Sequence, residues 1–177
     1  KPCPEIFEDE KVLISTLGKV NKEVLYKSYP TKQYLDDRNT YINKLLKKHK
    51  NIKNIETEED FRYMRNVADI VITQSSESTL EWCIGLNVPL IFLDSDFYEP
   101  LENEDVKNAF KKSFFFFNYD KDGWEIDLIR FLNKPYKEIL SLWKQKQKYR
   151  NQYDEEYFLC KEKEAGKIAS KTNLKSI

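Results

Sequence analysis

The sequence predicts an α/β fold: an open parallel sheet of about five strands, three layers deep, with helices on both faces and a long C-terminal helix. Three observations predict it. Short apolar runs rich in β-branched and aromatic residues alternate with longer stretches of helical periodicity. The segment from Ala68 to Asp94 reads as strand, polar turn, helix and strand, and a unit of that length imposes a parallel pair with a right-handed crossover. Beyond Pro135 the chain is charged and strongly helical in pattern.

Taken in order, residues 1–10 hold two prolines and four acids and read as a linker or the end of a missing N-terminal domain. Val12-Leu13-Ile14 reads as a first strand, and Ser15-Thr16-Leu17-Gly18 as its turn. That turn is either a backbone cradle for an anion or a plain turn. From Glu23 to Lys48 apolar residues recur at helical intervals. Pro30 interrupts them, so a long helix is expected from about Thr31. The basic run Lys47-Lys48-His49-Lys50 suits its C-terminus. Ile52–Ile55 reads as a strand, and Thr57 caps a helix whose apolar face is Phe61, Met64 and Val67. Ile70-Val71-Ile72 and Leu90-Ile91-Phe92-Leu93 are buried strands flanking a helix that Pro89 ends. A helix over Glu102–Lys112, a strand over Phe114–Phe117 and a helix over Trp124–Leu132 follow. Tyr136 to about Ser170 is the long helix, with Ile139, Trp143, Tyr149, Tyr153, Tyr157 and Cys160 on one stripe. The domain plan is therefore residues 11–133 as a Rossmann-like domain and 134–177 as a helical extension.

Composition narrows the function classes. Lys+Arg and Asp+Glu balance at 30 each in 177 residues, so no bulk field favours nucleic acid or an anionic membrane. No apolar run approaches the length of a membrane span, and no transmembrane segment is expected. Three scattered cysteines point to a reducing, cytoplasmic setting. With 4 glycines there is no glycine-rich nucleotide loop. The chain begins Lys1-Pro2-Cys3-Pro4, which suggests half of something longer.

The hydroxyl-rich turn carries the first candidate chemistry. Ser75, Ser76, Ser78 and Thr79 stand where a helix begins, at the carboxyl edge of a parallel sheet. Free N–H groups, the helix dipole and hydroxyls together suit a phosphate. Capping alone needs one hydroxyl. Ser78-Thr79-Leu80-Glu81 has capping-box spacing, so Glu81 either closes the box or accepts hydrogen bonds from a ribose. Asp94-Ser95-Asp96 follows a buried strand, and an Asp-x-Asp there can hold a divalent cation against a diphosphate. His49, the single histidine, is a catalytic base or an exposed structural residue.

These residues carry a resemblance. Ala68-Asp69-Ile70-Val71-Ile72-Thr73, the Ser/Thr turn, Leu80-Glu81, Gly85 and Val88-Pro89-Leu90-Ile91-Phe92 resemble the nucleotide-sugar-binding half of GT-B glycosyltransferases. The surface-carbohydrate and polysaccharide transferases related to glycerophosphotransferases are the most similar in character. Lys11–Thr16 resembles that half's first strand, Phe97-Tyr98-Glu99 its aromatic-acidic loop, and Phe114–Leu132 its closing strand and helix. The likeness spans roughly residues 11–150. It implies donor binding by Ser15, Thr16, Gly18, Ser75, Ser76, Ser78, Thr79, Glu81, Tyr98 and Glu99. The donor is a nucleotide-sugar or a CDP-linked compound, and neither cofactor nor metal is required. The catalytic base is then supplied by the missing N-terminal domain. Glu81 precedes Pro89 by eight positions, a spacing nearer to nucleotide-sugar 2-epimerases, and the Arg-x-His-Pro-like strand of such transferases is lacking. Rival readings are a metal-dependent GT-A transferase using Asp94 and Asp96, a 2-epimerase-like enzyme, and a non-catalytic Rossmann-like interaction domain. A phosphoreceiver needs an acidic pair where Ser15-Thr16 stands.

Overall fold

The structure is a computed structural model that describes residues 4–27, 36–55, 63–64, 67–74, 78–95 and 103–158. The described elements run α1 (Pro4–Leu17), β1 (Val24–Lys27), α2 (Asp36–Leu46), β2 (Ile52–Ile55), β3 (Val71–Thr73), α3 (Ser78–Gly85), β4 (Leu90–Asp94), α4 (Glu104–Ser113), β5 (Phe115–Asn118), α5 (Trp124–Leu132), α6 (Tyr136–Gln145) and α7 (Gln147–Tyr153). A π-helical turn, Asp154–Phe158, extends α7. The fold is α/β with parallel strand pairing throughout the described residues.

The five strands lie in two sheets, β1-β2 and β3-β4-β5, rather than in the single expected sheet. In the larger one, Thr73 pairs with Phe92, and Phe92 with Phe116. Strand β4 is central and all five of its residues are buried, as its uninterrupted apolar run demands of a strand covered on both faces. Side chains alternate across a strand, and the aromatic contacts show what covers each face. Phe92 packs edge-on to Phe110 of α4 at 5.2 Å, and its neighbour Phe116 lies beneath Lys111 of the same helix. Phe115 and Phe117, on the opposite face, both meet Phe131 of α5, and Phe115 also meets Trp143 of α6. Helices therefore cover both faces of this sheet.

Helix α4 begins at an Asn103 cap whose side chain accepts from Asp105 N and Val106 N. Its acids Glu104 and Asp105 lie in the first turn and Lys111 and Lys112 in the last, as the helix dipole favours. Helix α5 matches its expected bounds, entering through Gly123 at φ 79°, a conformation suited to glycine.

Four expectations are corrected. Val12-Leu13-Ile14 lies inside helix α1, because a three-residue apolar run does not distinguish strand from helix. Ile14 and Leu17 are buried at helical spacing while Val12 faces outward. Residues 4–10 are helical, and Tyr119 Oη donates to Asp9 O. Val24 and Leu25, expected in a helix, form β1, whose register against β2 supplies the pairing that a local pattern cannot reveal. Of the long helix expected from about Thr31, the described part is Asp36–Leu46. Met64 and Val67 are not helical, and Val67 is exposed; Thr57 and Phe61 lie outside the described residues. The C-terminal helix breaks at Lys146 into α6 and α7. The break lets Arg150 lie 3.5 Å from the Trp143 ring centre and donate to Trp143 O at 2.6 Å. Ile139, Trp143 and Tyr153 of the expected stripe are buried, whereas Tyr149 and Tyr157 are exposed. No described helix is long and apolar enough to cross a membrane.

Candidate functional site

Because β3, β4 and β5 are parallel, their carboxyl ends share one edge, where Thr73, Asp94 and Asn118 stand. Helices α3 and α4 follow β3 and β4 from that edge. In open α/β sheets this edge is where ligands bind.

Three of its polar residues are buried. Thr73 is 8%, Asp94 1% and Ser95 3% exposed. Lys107, from the first two turns of α4, places Nζ 2.8 Å from Asp94 Oδ2. The contact is close enough for an ion pair, yet Asp94 Oδ2 has no donor in hydrogen-bond geometry. We read it as charge compensation without an aligned hydrogen bond, because distance governs Coulomb attraction while a hydrogen bond also needs direction. Beside it, Ser95 Oγ donates to Asp120 Oδ1 at 3.1 Å, and Asp120 N donates to Asn118 Oδ1 at 2.7 Å. Tyr119 N donates to Asp94 O at 2.7 Å, fixing the turn after β5 against the end of β4. The Tyr119 ring stacks on Trp124 at 4.1 Å, and burial pushes its phenol upward from the ordinary value. Among the described residues the edge is thus a small polar floor with one cation, two carboxylates and two hydroxyls.

Of the expected site residues, Ser78 opens α3, and Thr79 and Glu81 are exposed in its first turn. Ser78 is itself helical, and residue 77 lies outside the described residues. Ser75, Ser76, Asp96, Tyr98 and Glu99 also lie outside them.

Ser15, Thr16 and Gly18 require correction as turn residues after a strand. They occupy the C-terminal end of α1, and Gly18 N donates to Ile14 O. A helix C-terminus carries the negative end of the dipole and does not favour a phosphate. Thr16 Oγ1 donates to Val12 O at 2.8 Å. Gly18 is needed for space: a Cβ there would lie 2.0 Å from His49 Nδ1. Asn21 and Lys22 just beyond bond Asn133 and Leu132 at the C-terminal end of α5, opposite the carboxyl edge.

Sequence reasoning missed Lys107 and assigned Asp120 only to a turn. A signal for Lys107 exists: it lies one turn before Phe110 on the inward face of α4, beside Val106. Among the described residues no three His, Cys, Asp or Glu side chains converge as metal ligands. Asp94 meets Lys107, so a cation already occupies the position that the Asp-x-Asp reading gives to a metal.

Elsewhere, a concavity of about 510 Å³ is lined by Lys111, Lys112, Phe115, Leu142, Gln145, Lys146 and Tyr149. Lys146 Nζ donates to Lys111 O and Lys112 O, so it serves as a cap for α4. No protein-family model, curated protein or solved structure matches the chain.

Proposed function

We propose that this chain is the donor-binding half of a transferase that moves a glycosyl or glycerophosphoryl group from a nucleotide-activated donor, in surface polysaccharide assembly. In this reading β1-β2 and β3-β4-β5 belong to one Rossmann-like domain, and the acceptor is activated by a second domain. The observation that carries the reading is the convergence of Thr73, Asp94, Ser95, Asn118, Asp120 and Lys107 at the carboxyl edge, with α3 and α4 departing from that edge. Buried polar groups on a rigid sheet edge orient a ligand at small entropic cost. The N-terminal N–H groups of α3, with the Ser75–Thr79 hydroxyls, would bear the diphosphate, whose developing charge they would stabilise as the bond to the transferred group breaks. Glu81, exposed one turn into α3, would take the ribose hydroxyls.

Isothermal titration calorimetry with nucleoside diphosphates tests the reading. Saturable binding at millimolar ligand or tighter is expected. No heat at those concentrations, with the circular dichroism of a folded α/β protein, contradicts it. The metal-dependent alternative predicts instead that manganese strengthens binding and that Asp94→Ala abolishes the strengthening.

A further inference from the structure

We infer that the amino edge of the molecule, where the parallel strands begin, docks onto an anionic lipid surface through the lysines that gather there. The inference stands apart from the donor-binding reading. Positive and negative residues balance over the whole chain, but the two edges differ. Parallel strands joined by helices bring the helix C-termini to the amino edge, and contacts set several of them side by side. Gly18 lies against His49, Asn51 donates to Leu17 O and Val20 O, and Asn21 N donates to Asn133 Oδ1, so the ends of α1, α2 and α5 adjoin. Helix α6 then crosses this edge. Tyr136 at its start meets Asp69 O just before β3, and Lys146 at its end donates to Lys111 O and Lys112 O of α4.

Lys47, Lys48 and Lys50 are exposed after α2, and Lys111 and Lys112 in the last turn of α4. Lys137 and Lys144 are exposed on α6. None of these has an ion-pair partner among the described residues. The acids described at this edge are Glu23, Asp69 and Glu138, and Glu23 and Glu138 are already paired with Lys53 and Lys134. Helix dipoles do not account for the cluster. Carbonyls at the ends of α4 and α5 already receive Lys146 and Lys22, and Lys137 stands in the first turn of α6, where the dipole opposes a cation. Unpaired like charges on one face repel one another, and an anionic partner turns that repulsion into attraction. Lipid headgroups fit this array best. Its exposed cations are all lysines, hydrated point charges on flexible stems, whereas a fixed array of nucleic-acid phosphates favours the planar arginine fork. Arg150 of α7 is instead 5% exposed and donates to Trp143 O. The lysines are dispersed over three helices, which suits a fluid surface whose charges redistribute to meet them. Acids gather at the opposite edge, Glu104 and Asp105 at the start of α4 and Glu125 and Asp127 at the start of α5. The docked molecule therefore turns its candidate ligand site away from the lipid.

Co-sedimentation of the full chain with vesicles tests the inference. Binding is expected to vesicles of phosphatidylcholine mixed with phosphatidylserine at low salt and not to phosphatidylcholine alone, and it should weaken as salt rises. A lysine near such a surface contributes roughly fivefold in affinity. Lys47→Gln/Lys48→Gln/Lys50→Gln should therefore lower affinity on the order of 100-fold, and Lys137→Gln/Lys144→Gln about 10- to 30-fold, both with the circular dichroism of the unaltered protein. Lys121→Gln, exposed at the opposite edge, should leave affinity unchanged. No binding to the mixed vesicles at low salt overturns the inference, as does unchanged affinity in either multiple variant. Release from the vesicles by a duplex oligonucleotide at equal phosphate concentration overturns it in favour of nucleic acid. These outcomes are separate from diphosphate binding at the carboxyl edge, which calorimetry decides.

Discussion

Gly18 has no room for a side chain, and this decides its role. The nearest atoms to a Cβ there belong to the His49 ring, at 2.0 to 2.5 Å. Gly18→Ala should therefore lower stability by ~1–3 kcal/mol, the usual cost of forcing extra volume into a packed site. Adding His49→Ala should recover part of that loss, because the two residues contend for one space. Equilibrium urea unfolding of the two single variants and the double variant checks this; additive losses would show that the ring moves away freely. Asn51 illustrates a different economy. Its Nδ2 lies within 3.0 to 3.3 Å of Leu17 O, Val20 O and Lys22 O, so one side chain ties together the end of α1 and the turn that follows it. Neither role was legible in the sequence. Both partners lie about thirty residues away, and local patterns carry no information about such contacts.

At the scale of elements, legibility followed the length and distinctness of each apolar pattern. The run Leu90–Leu93 is bounded by Pro89 and acids and became the central strand β4. Trp124–Leu132 was legible because Gly123 and Asn133 punctuate both ends. Val12-Leu13-Ile14 misled because Ile14 and Leu17, with Leu13 beside them, lie at helical spacing in a helix that starts before Lys11. Val24–Lys27 misled in the opposite direction, since a four-residue strand is specified by its partner β2 more than by its own residues. The candidate site divides likewise. Asp94 was legible as a polar residue closing a buried strand, whereas Lys107 was hidden in a helix whose other lysines, Lys111 and Lys112, are exposed. Its meaning comes from the 2.8 Å approach to Asp94, thirteen positions earlier in the chain.

For the molecule as a whole, burial of acidic groups that stay neutral at pH 7 links folding to pH. Burial raises the Cys83 thiol from 9.0 to about 12 and the Tyr153 phenol from 10.0 to about 12. Each holds its proton more tightly in the folded state than in the unfolded one. Their contribution is therefore complete below pH 9 and is lost as pH rises towards 12, by about 1.4 kcal/mol per pH unit for each group within its window. Thermal melts should be insensitive to these groups between pH 7 and pH 9 and should fall steeply above it. A midpoint that stays level to pH 11 would show that neither group is protected by the core. Ring pairs cover both faces of the sheet, Phe92 with Phe110 on one and Phe115 with Phe131 on the other.

The claim that this edge is the ligand site is tested most directly by amide chemical shifts during titration of a nucleoside diphosphate into isotope-labelled protein. The account predicts saturable shifts at Thr73, Asp94, Ser95, Asn118 and Asp120 and at the start of α3, with none at Leu142, Gln145 or Tyr149. Shifts confined to that second group, or absent from the β3-β4-β5 carboxyl ends at saturation, would contradict it.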